Sequence, residues 1–465
     1  MKNALEVNLD LVKKYNVPAP RYTSYPTALQ FREDVSDDEI FRIMREDIAE
    51  GGNVISIYIH IPFCKSLCWY CGCTTVPARD DAAADCYLDM LEKEIHLRKD
   101  RLAENGKRLS VAQLHFGGGT PSILTPQQID RISAMLHTNF DFTPDAEMSV
   151  EIDPRTLTRE TVEAFRRLGC TRASLGIQDL NAQVQLAIHR VQPKALVEQA
   201  LAWLRENGFT SVNFDLIYGL PFQTRESYEK TLDALLELRP DRFAVFSYAH
   251  VPWLKPQQKL LEQSGGLPSA DEKIALLKTI IEKLTRSGFV YIGLDHFARE
   301  NDELVQALRE QRLQRNFQGY STHAGLPIVA FGMSSISQSK RCFSQNDKTL
   351  DGYESQIAAG KLPCIKGLIL TDEDLRRREI ITRIMCDLRL DYSMLSERFG
   401  FDFKEVYKKE ISELNALAAD GLIEFRDDGN GFFVTRTGRM FIRNIALPFD
   451  AYFRPGVSNR HSKTV

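Results

Sequence analysis

The sequence predicts an α/β protein in which six parallel strands and their helices wind into a partial (β/α)6 TIM-like barrel. Three observations support this prediction. Apolar strand-like runs alternate with helix-patterned stretches, glycines stand where helices should end, and polar residues follow the strand ends. A doubly wound open sheet stays an alternative, because periodicity does not reveal whether a sheet closes. The predicted strands cover residues 55–62, 111–116, 147–153, 171–178, 211–221 and 242–252.

Helix-patterned stretches separate these strands at residues 83–100, 158–169 and 193–208. Gly169 and Gly208 occupy the positions where a glycine commonly ends a helix. Repeated strand–helix units argue for parallel strands covered by helices. In such a barrel the chemistry gathers at the carboxyl ends of the strands.

The whole chain divides into four predicted segments. The last one combines helices with a short hairpin that turns at Asp428–Gly431, so we interpret it as helical and winged-helix-like. Acidic and basic residues balance in this hairpin, which argues against DNA binding. The segments are an N-terminal arm (1–50), the barrel (51–300), a barrel-capping connection (301–370) and a C-terminal domain (371–465).

Composition and charge are those of an ordinary globular protein, with 43% hydrophobic and 26% charged residues and a formal net charge of −4. The sequence has no basic bias that would indicate a nucleic-acid partner. It also lacks an apolar stretch with the length of a signal peptide or a membrane span. We therefore expect a cytoplasmic monomer without membrane insertion or nucleic-acid binding.

Four of the nine cysteines, Cys64, Cys68, Cys71 and Cys73, lie within ten residues directly after the first predicted strand. Closely spaced thiolates on one loop are typical ligands of an iron–sulfur cluster. Two alternatives remain at this point: a zinc site, which usually needs a second cysteine hairpin, and a thioredoxin-like redox pair. The scattered cysteines are expected to be packed thiols.

The role of Cys73 is less determined by the spacing. Three thiolates from Cys64, Cys68 and Cys71 would leave one iron open for another ligand, whereas a fourth from Cys73 would make the cluster an electron carrier. We expect Cys73 to face a substrate or a second cofactor instead, because residues two apart on a tight loop would have to serve adjacent corners of one cubane. A packed thiol beside the cluster is the alternative.

Polar residues and glycines follow the later strands. The glycine run at 117–122 allows backbone to approach a ligand closely, although a tight turn needs glycine too. Glu151 and Asp153 share one face of their strand, and one of them would suit a ligand; an ion pair with an arginine such as Arg155 is the structural alternative. Gln178, Arg190 and Asp215 are further candidates, although single residues of this kind are more often structural.

The spacing of the three cysteines, with Tyr70 before the third, resembles the signature of radical S-adenosylmethionine (SAM) enzymes. Further motifs resemble the family of oxygen-independent coproporphyrinogen III dehydrogenases, over about residues 20–455. The resemblance implies a radical SAM barrel with a [4Fe–4S] cluster and two SAM molecules. The motifs are RYTSYPTALQF, IHIPFCKSLCWYCGC, HFGGGTPS, GIQDLN, DLIYGLP, GLDHFAR, RNFQGYST and GRMFIRNI.

The resemblance also implies a reaction in porphyrin and heme biosynthesis. Coproporphyrinogen III would lose carbon dioxide and a hydrogen from each of two propionates, giving the vinyls of protoporphyrinogen IX. A SAM-derived 5'-deoxyadenosyl radical would take the hydrogen, with an unidentified electron donor and acceptor. Arg21 is our own candidate for pairing with a substrate carboxylate.

The resemblance assigns roles to individual residues of this chain. Cys64, Cys68 and Cys71 would ligate the cluster, and Cys73, Phe317 and Gln318 would have catalytic roles at the active site. The SAM-binding residues would be Tyr58, Glu151 and Ile336 for the first molecule, Tyr70, Gln178, Arg190, Asp215 and Ala249 for the second, and Gly118, Gly119 and Thr120 beside both.

One stretch departs from the family pattern. Residues 323–337, just before and including Ile336, are more apolar than the acidic stretch that relatives of this type carry, which leaves substrate positioning there open. Two alternative functions remain. A radical SAM tetrapyrrole methyltransferase or heme-opening enzyme would also use two SAM molecules, and a heme chaperone would keep the cluster without this chemistry.

Overall fold

The computed structural model describes residues 5–78, 82–103 and 106–453. The chain forms two compact units, each built from segments that are distant in sequence. The barrel unit consists of residues 31–268 and 325–369, and the second unit of residues 1–30, 269–324 and 370–465.

The strands in chain order are β1 (Val54–Ile61), β2 (Phe63–Cys64), β3 (Val76–Pro77), β4 (Ser110–Gly118), β5 (Asp141–Ile152), β6 (Arg172–Gln178), β7 (Ser211–Tyr218), β8 (Arg242–Ser247), β9 (Phe289–Gly293), β10 (His296–Arg299), β11 (Gln314–Asn316), β12 (Gly319–Ser321), β13 (Ile328–Phe331), β14 (Ile336–Gln338), β15 (Cys342–Asn346), β16 (Cys364–Ile369), β17 (Arg389–Asp391), β18 (Ile423–Phe425) and β19 (Gly431–Val434).

The helices in chain order are α1 (Leu9–Tyr15), α2 (Asp37–Glu50), α3 (Ala82–Leu102), α4 (Pro126–Asn139), α5 (Arg159–Leu168), α6 (Ala182–Ala187), α7 (Lys194–Glu206), α8 (Arg225–Glu237), α9 (Lys259–Gln263), α10 (Ala270–Arg286), α11 (Glu303–Arg309), α12 (Leu350–Ala358), α13 (Asp372–Asp387), α14 (Tyr392–Phe399), α15 (Phe403–Val406), α16 (Lys408–Ala419) and α17 (Ile442–Ala446). Across the described residues, no helix is long and apolar enough to cross a bilayer.

The six predicted strands of the barrel unit are present as β1, β4, β5, β6, β7 and β8, and each pairs in parallel with the next. They lie side by side in chain order without a reversal. A doubly wound sheet would reverse its order at a switch point. The predicted α/β fold with a partial, barrel-type winding is therefore confirmed, and the doubly wound alternative is not.

Four further strands extend this sheet on the other side of β1, in the order β13, β14, β15 and β16. The strand β13 pairs with β1 in parallel, and the following pairs are antiparallel. The apolar stretch that departs from the family pattern contains β13, whose four residues are all buried. Its apolar character therefore follows from its place inside a sheet.

The two units do not follow the four predicted segments. The N-terminal arm is divided near residue 30, residues 269–300 belong to the second unit, and residues 325–369 belong to the barrel unit. The boundaries predicted at residues 50 and 300 do not coincide with a boundary of these units and stay predictions, while the one near residue 370 coincides with a unit boundary. The physical reason is long-range pairing, because β13 pairs with a strand about 270 residues earlier and local patterns do not report this.

The second unit contains the predicted C-terminal helices and hairpin. The strands β18 and β19 form an antiparallel pair around the predicted turn, and β17 pairs with the other side of β19. Two more short hairpins, β9–β10 and β11–β12, belong to the same unit.

Helix ends follow the local sequence where the capping geometry is clear. The helix α5 begins after Thr158, whose side chain accepts a hydrogen bond from the Thr161 amide. It ends at Gly169, which has a φ of 118°. A left-handed residue at this position is normally glycine, because a Cβ atom would be strained there. The predicted helix end at Gly169 is confirmed.

A buried ion pair on α3 connects this helix to the β13–β14 turn. Glu94 and Arg98 are bonded at 2.8 Å, and their side chains are 0% and 1% exposed. Glu94 also accepts hydrogen bonds from the Gly332 amide and the Tyr353 hydroxyl, at 2.7 and 2.8 Å. Asn346 donates to Glu94 and to the Gly332 carbonyl. Removing the cation would leave a charged carboxylate without its main partner inside the unit.

We predict that Arg98→Met lowers the free energy of unfolding by about 3–5 kcal/mol, because breaking a buried pair leaves one charge uncompensated. The matched control is Arg101→Met on the same helix, where Arg101 and its partner Asp38 are 45% and 87% exposed. This exposed pair should contribute about 0–1 kcal/mol. Denaturant unfolding monitored by far-UV circular dichroism checks both values. Equal losses in the two variants would contradict the importance of burial.

Candidate active site

The four-cysteine loop begins where β1 ends, and backbone hydrogen bonds close it. Phe63–Cys64 pairs in parallel with Val76–Pro77. The Val76 amide donates to the Pro62 carbonyl at 2.8 Å, and the Ala78 amide donates to the Cys64 carbonyl at 2.9 Å. Residues 65–75 therefore form one closed loop, whose two ends are paired in a short two-stranded sheet.

Two neighbouring segments hold this loop from outside. The Trp69 amide donates to the Ile188 carbonyl at 3.1 Å, and the Trp69 ring stacks on His189. A second segment, directly before α9, donates side-chain hydrogen bonds to three carbonyls of the loop. These are Lys255 to Cys73, Gln257 to Cys71 and Gln258 to Tyr70, at 2.5, 3.3 and 3.0 Å. No pattern in the sequence predicts these three contacts.

Two arginines contact the sulfur of Cys68. Arg155 and Arg190 each donate to Cys68 Sγ at 3.4 Å. Both guanidinium groups also pair with Asp153, at 2.7 and 2.9 Å, and these cations hold the pKa of the Asp153 carboxyl below its usual range against the opposing effect of burial. Positive charge beside a sulfur favours its thiolate form. Of the two carboxylates on this strand face, Asp153 is the one that pairs with Arg155.

The other thiols have different surroundings. Cys64 Sγ lies 3.3 Å from the Thr120 hydroxyl. Cys71 and Cys73 are in side-chain hydrogen-bond contact, so the pKa of Cys71 is lowered and that of Cys73 is raised. The sharing of one proton explains the opposite directions. Cys73 is exposed and lies next to Cys71, and its role stays a prediction.

The glycine run after β4 lies directly against the start of the cysteine loop. The Gly119 amide donates to the Ile61 carbonyl at 2.8 Å. A Cβ atom on Gly119 would lie 2.5 Å from the Pro62 carbonyl oxygen and 2.7 Å from that of Phe63. Gly118 has a φ of 120°, which also favours glycine. These positions need glycine because two backbones approach each other there.

Two residues predicted for the first SAM lie together beside this run. A Cβ on Gly117 would be 3.0 Å from the Tyr58 ring and 3.1 Å from Glu151 Oε1. His115 stacks on Tyr58 and lies 3.4 Å from Glu151 Oε1. His60 contacts the Tyr58 hydroxyl at 3.1 Å. Both histidines are hydrogen-bonded, as expected for packed histidines, yet they border the site.

Residues predicted for the second SAM also group together. A Cβ on Gly176 would lie 3.0 Å from Gln178 Nε2 and 3.1 Å from Arg190 Nη2. Gln178 has a φ of 69°, an uncommon conformation for a residue with a side chain. Tyr70 lies near Arg190, since each acts on the pKa of the other. Strain of this kind concentrates at functional sites.

Asp215 is the candidate with a strongly shifted acidity. Its carboxylate accepts hydrogen bonds from Ser174 Oγ at 2.5 Å and Asn213 Nδ2 at 2.7 Å. Burial raises the pKa of Asp215 to about 7, and the charge of Glu151 acts in the same direction. The protonated form of this carboxyl group therefore persists to higher pH than in an ordinary aspartate.

The remaining candidates are placed as follows. Ala249 follows β8, and its carbonyl accepts a hydrogen bond from Gln258, which also bonds to Tyr70. Ile336 begins β14 and is partly buried. Phe317 and Gln318 belong to the second unit, in the turn between β11 and β12. Their role at the active site stays a prediction.

The donor chemistry of the loop fits an iron–sulfur cluster. Within residues 5–78, 82–103 and 106–453, no three His, Cys, Asp or Glu side chains are arranged to hold a single metal ion. A zinc site needs its ligand atoms around one ion, at about 2.0–2.3 Å. The thiolates of a cubane each bind a different iron atom and therefore lie farther apart. A cubane is therefore compatible with the three cysteines of this closed loop, Cys64, Cys68 and Cys71.

Comparisons with known proteins agree with this reading of the site. The model of the radical SAM superfamily matches residues 58–235, and that of the HemN C-terminal domain matches residues 370–441. Oxygen-independent coproporphyrinogen III oxidase from Helicobacter pylori (strain J99) is 40% identical over 461 residues, 99% of each chain. The Salmonella typhimurium protein of the same name is 42% identical over 450 residues, 97% of this chain and 96% of its own.

A solved structure extends the likeness to three dimensions. Coproporphyrinogen III oxidase (HemN) from Escherichia coli, described as a radical SAM enzyme, has a TM-score of 0.90 and 40% identity. The match covers 97% of this chain and 100% of that chain.

The parallel barrel strands, the three-cysteine loop and the superfamily match define a radical SAM protein, whose cofactors are a [4Fe–4S] cluster and SAM. Within that class, the chain belongs to the family of oxygen-independent coproporphyrinogen III oxidases.

We predict that Gly119→Ala displaces the cysteine loop, since its Cβ would overlap two backbone carbonyls. The variant should lose about 1–3 kcal/mol of stability through overpacking and retain less iron after anaerobic reconstitution. The matched control is Gly72→Ala, which lies between two of the cysteines but has nothing within 4 Å of the new Cβ. Thermal unfolding and iron analysis check both variants. Equal iron retention would contradict the proposed packing.

We predict that Asp215→Asn is stabilising at alkaline pH. The pKa of Asp215 is raised in the folded protein, so the carboxyl contributes most stability below its unfolded pKa, and this contribution is lost as pH rises through about 7. Asparagine cannot ionise and avoids this loss. The gain in the free energy of unfolding of the variant over the parent should be larger at pH 8.5 than at pH 5, by about 1 kcal/mol or more. A difference independent of pH would contradict the shift.

Proposed function

We propose that this chain catalyses the oxygen-independent oxidative decarboxylation of coproporphyrinogen III to protoporphyrinogen IX in heme biosynthesis. The observation that carries the proposal is the match, over nearly the full length of both chains, to relatives named for coproporphyrinogen III oxidation. The cysteine loop and its surroundings support the radical chemistry that such a reaction needs without oxygen.

The proposed reaction balances for each propionate. One hydrogen atom leaves the carbon β to the carboxylate, the carboxylate carbon leaves as carbon dioxide, and one electron passes to an acceptor. A vinyl group remains. Two such sequences give the product, and each consumes one SAM.

The cofactor set is part of the proposal. Cys64, Cys68 and Cys71 hold the cluster, and two SAM molecules bind beside it. When bound, the cluster and SAM together supply a 5'-deoxyadenosyl radical that removes the hydrogen atom. The protein's own groups bind and orient these partners and keep water away.

Individual residues would act through the contacts described above. Arg155 and Arg190 place positive charge beside Cys68, because each donates a hydrogen bond to its sulfur. The close approach of Gly119 to Pro62 fixes the loop against the neighbouring strand end. The exposed Cys73, whose side chain contacts Cys71, would lie beside a substrate or the second SAM.

Other groups would orient the ligands. Tyr58, Glu151 and Ile336 position the first SAM, while Tyr70, Gln178, Arg190, Asp215 and Ala249 line the second site. Gly118, Gly119 and Thr120 lie between them, and Phe317 and Gln318 border the active site. We place the protein in the cytoplasm as a monomer, with an electron donor and acceptor still to be identified.

We predict that Cys68→Ala abolishes SAM cleavage, because the loop would lose a ligand that two cations stabilise. The control is Cys86→Ala, which removes an exposed thiol outside the loop and should leave the rate within about twofold, as for most surface substitutions. The assay incubates reconstituted protein anaerobically with coproporphyrinogen III, SAM and a reductant, and measures deoxyadenosine and vinyl product. Cleavage at the parent rate in Cys68→Ala would reject the ligand assignment.

The same assay distinguishes the other functions. Protoporphyrinogen IX together with deoxyadenosine supports the proposal. A methylated or ring-opened tetrapyrrole would overturn it in favour of a different radical SAM reaction. Stable heme binding without turnover would indicate a chaperone.

A further inference from the structure

The hairpin β11–β12 of the second unit carries a guanidinium group with unusual surroundings. Arg315 and Tyr320 stand opposite each other in its register, and the guanidinium lies over the tyrosine ring, 4.8 Å from its centre. The Nε and Nη1 atoms of Arg315 are buried and have no hydrogen-bond partner. Two N–H donors of a charged group are thus left unsatisfied.

Such an arrangement costs free energy in the ligand-free protein, because buried charges are normally paired and hydrogen-bonded. Burial lowers the pKa of Arg315, and the neighbours that oppose this effect are Tyr320 and Cys386. Neither neighbour is ionised at neutral pH, since burial raises the pKa of both to about 12. Among the residues that the structure describes, Arg315 therefore has an aromatic face beside it, while no ionised carboxylate is among the groups that act on its pKa.

Further cations surround the same tyrosine. Arg439 and Arg21 both act on the pKa of Tyr320. Arg439 Nε is also buried without a partner. Arg21, which the sequence analysis proposed for a substrate carboxylate, is already paired with Asp295. That pairing leaves Arg315 and Arg439 as the cations whose buried N–H groups lack an acceptor.

An uncharged donor lies on the same hairpin. Gln318, in the turn between the two strands, has a buried Nε2 atom without a hydrogen-bond partner. Its own amide is fixed by the Asn316 side chain at 2.9 Å. The residues of β11 are each partly exposed, so a ligand can reach the hairpin.

We infer that Arg315, supported by Arg439 and Gln318, binds a carboxylate group of the substrate. The inference rests on the proposed function, which makes the ligand a tetrapyrrole with four propionates, only two of which react. A carboxylate accepts hydrogen bonds from several N–H groups at once and would neutralise the cation. The site holds a propionate and so fixes how the macrocycle lies. Arg315 is a binding residue here and takes no part in bond breaking.

The test compares binding with stability, because the two should change in opposite directions. Arg315→Met removes an unsatisfied buried cation and replaces it with an apolar side chain of similar length. Its thermal unfolding without ligand should occur at the same or a higher temperature than the parent. Binding of coproporphyrin III, a stable fluorescent tetracarboxylate used as the probe, should weaken at least about tenfold, as for the loss of a charged hydrogen-bonding partner.

Two controls accompany this variant. Arg312→Met removes an exposed arginine three residues away that is paired with Glu310, and it should bind the probe like the parent. The tetramethyl ester of coproporphyrin III carries no carboxylates, so the parent and Arg315→Met should bind it equally. Arg315→Lys keeps the charge and should bind the acid better than Arg315→Met does.

The outcomes separate the inference from the function on which it rests. If Arg315→Met unfolds at a lower temperature and binds the probe like the parent, Arg315 is a packing residue and the inference fails. If the parent converts coproporphyrinogen III and the variant has an unchanged KM, the inference fails while the function stands. If the parent neither binds nor converts the tetrapyrrole, both fail. Weaker acid binding with unchanged ester binding and undiminished stability supports the site.

Discussion

Parallel pairing of six strands in chain order is the constraint on which the site depends. Because β1, β4, β5, β6, β7 and β8 all point the same way, their carboxyl ends meet at one edge. The cysteine loop, the glycine run, Glu151, Gln178 and Asp215 come from five different strands, yet each lies at or near such an end. Residues more than 100 positions apart, such as Cys68 and Arg190, thereby reach one another without any long-range motif in the sequence.

The sulfur of Cys68 lies beside two cations that share one carboxylate. Asp153 accepts hydrogen bonds from Arg155 and Arg190, and both guanidinium groups also contact the Cys68 sulfur. Because one carboxylate pairs with two guanidinium groups, the group of three carries a net positive charge beside the sulfur. The carboxylate also keeps the two cations from being buried beside each other without compensation. These contacts therefore place two guanidinium groups beside a sulfur that would bind iron.

The sequence was sufficient for the features that local chemistry determines. Strand-like runs, the helix end at Gly169 and the cysteine spacing all reflect short-range geometry, and the structure contains each of them. It was insufficient where distant segments meet. The pairing of β13 with β1 and the three side chains before α9 that hold the cysteine loop depend on the folded backbone. The sequence did not reveal which carboxylate pairs with Arg155, since Glu151 and Asp153 lie on the same strand face.

In the proposed site, three thiolates hold a cubane and leave one iron free to bind SAM. Mössbauer spectroscopy of protein reconstituted anaerobically with ⁵⁷Fe measures this directly. We predict a [4Fe–4S] spectrum in which one iron site changes its isomer shift when SAM is added. Iron sites that are all unaffected by SAM, or anaerobically isolated protein that carries zinc, would contradict it.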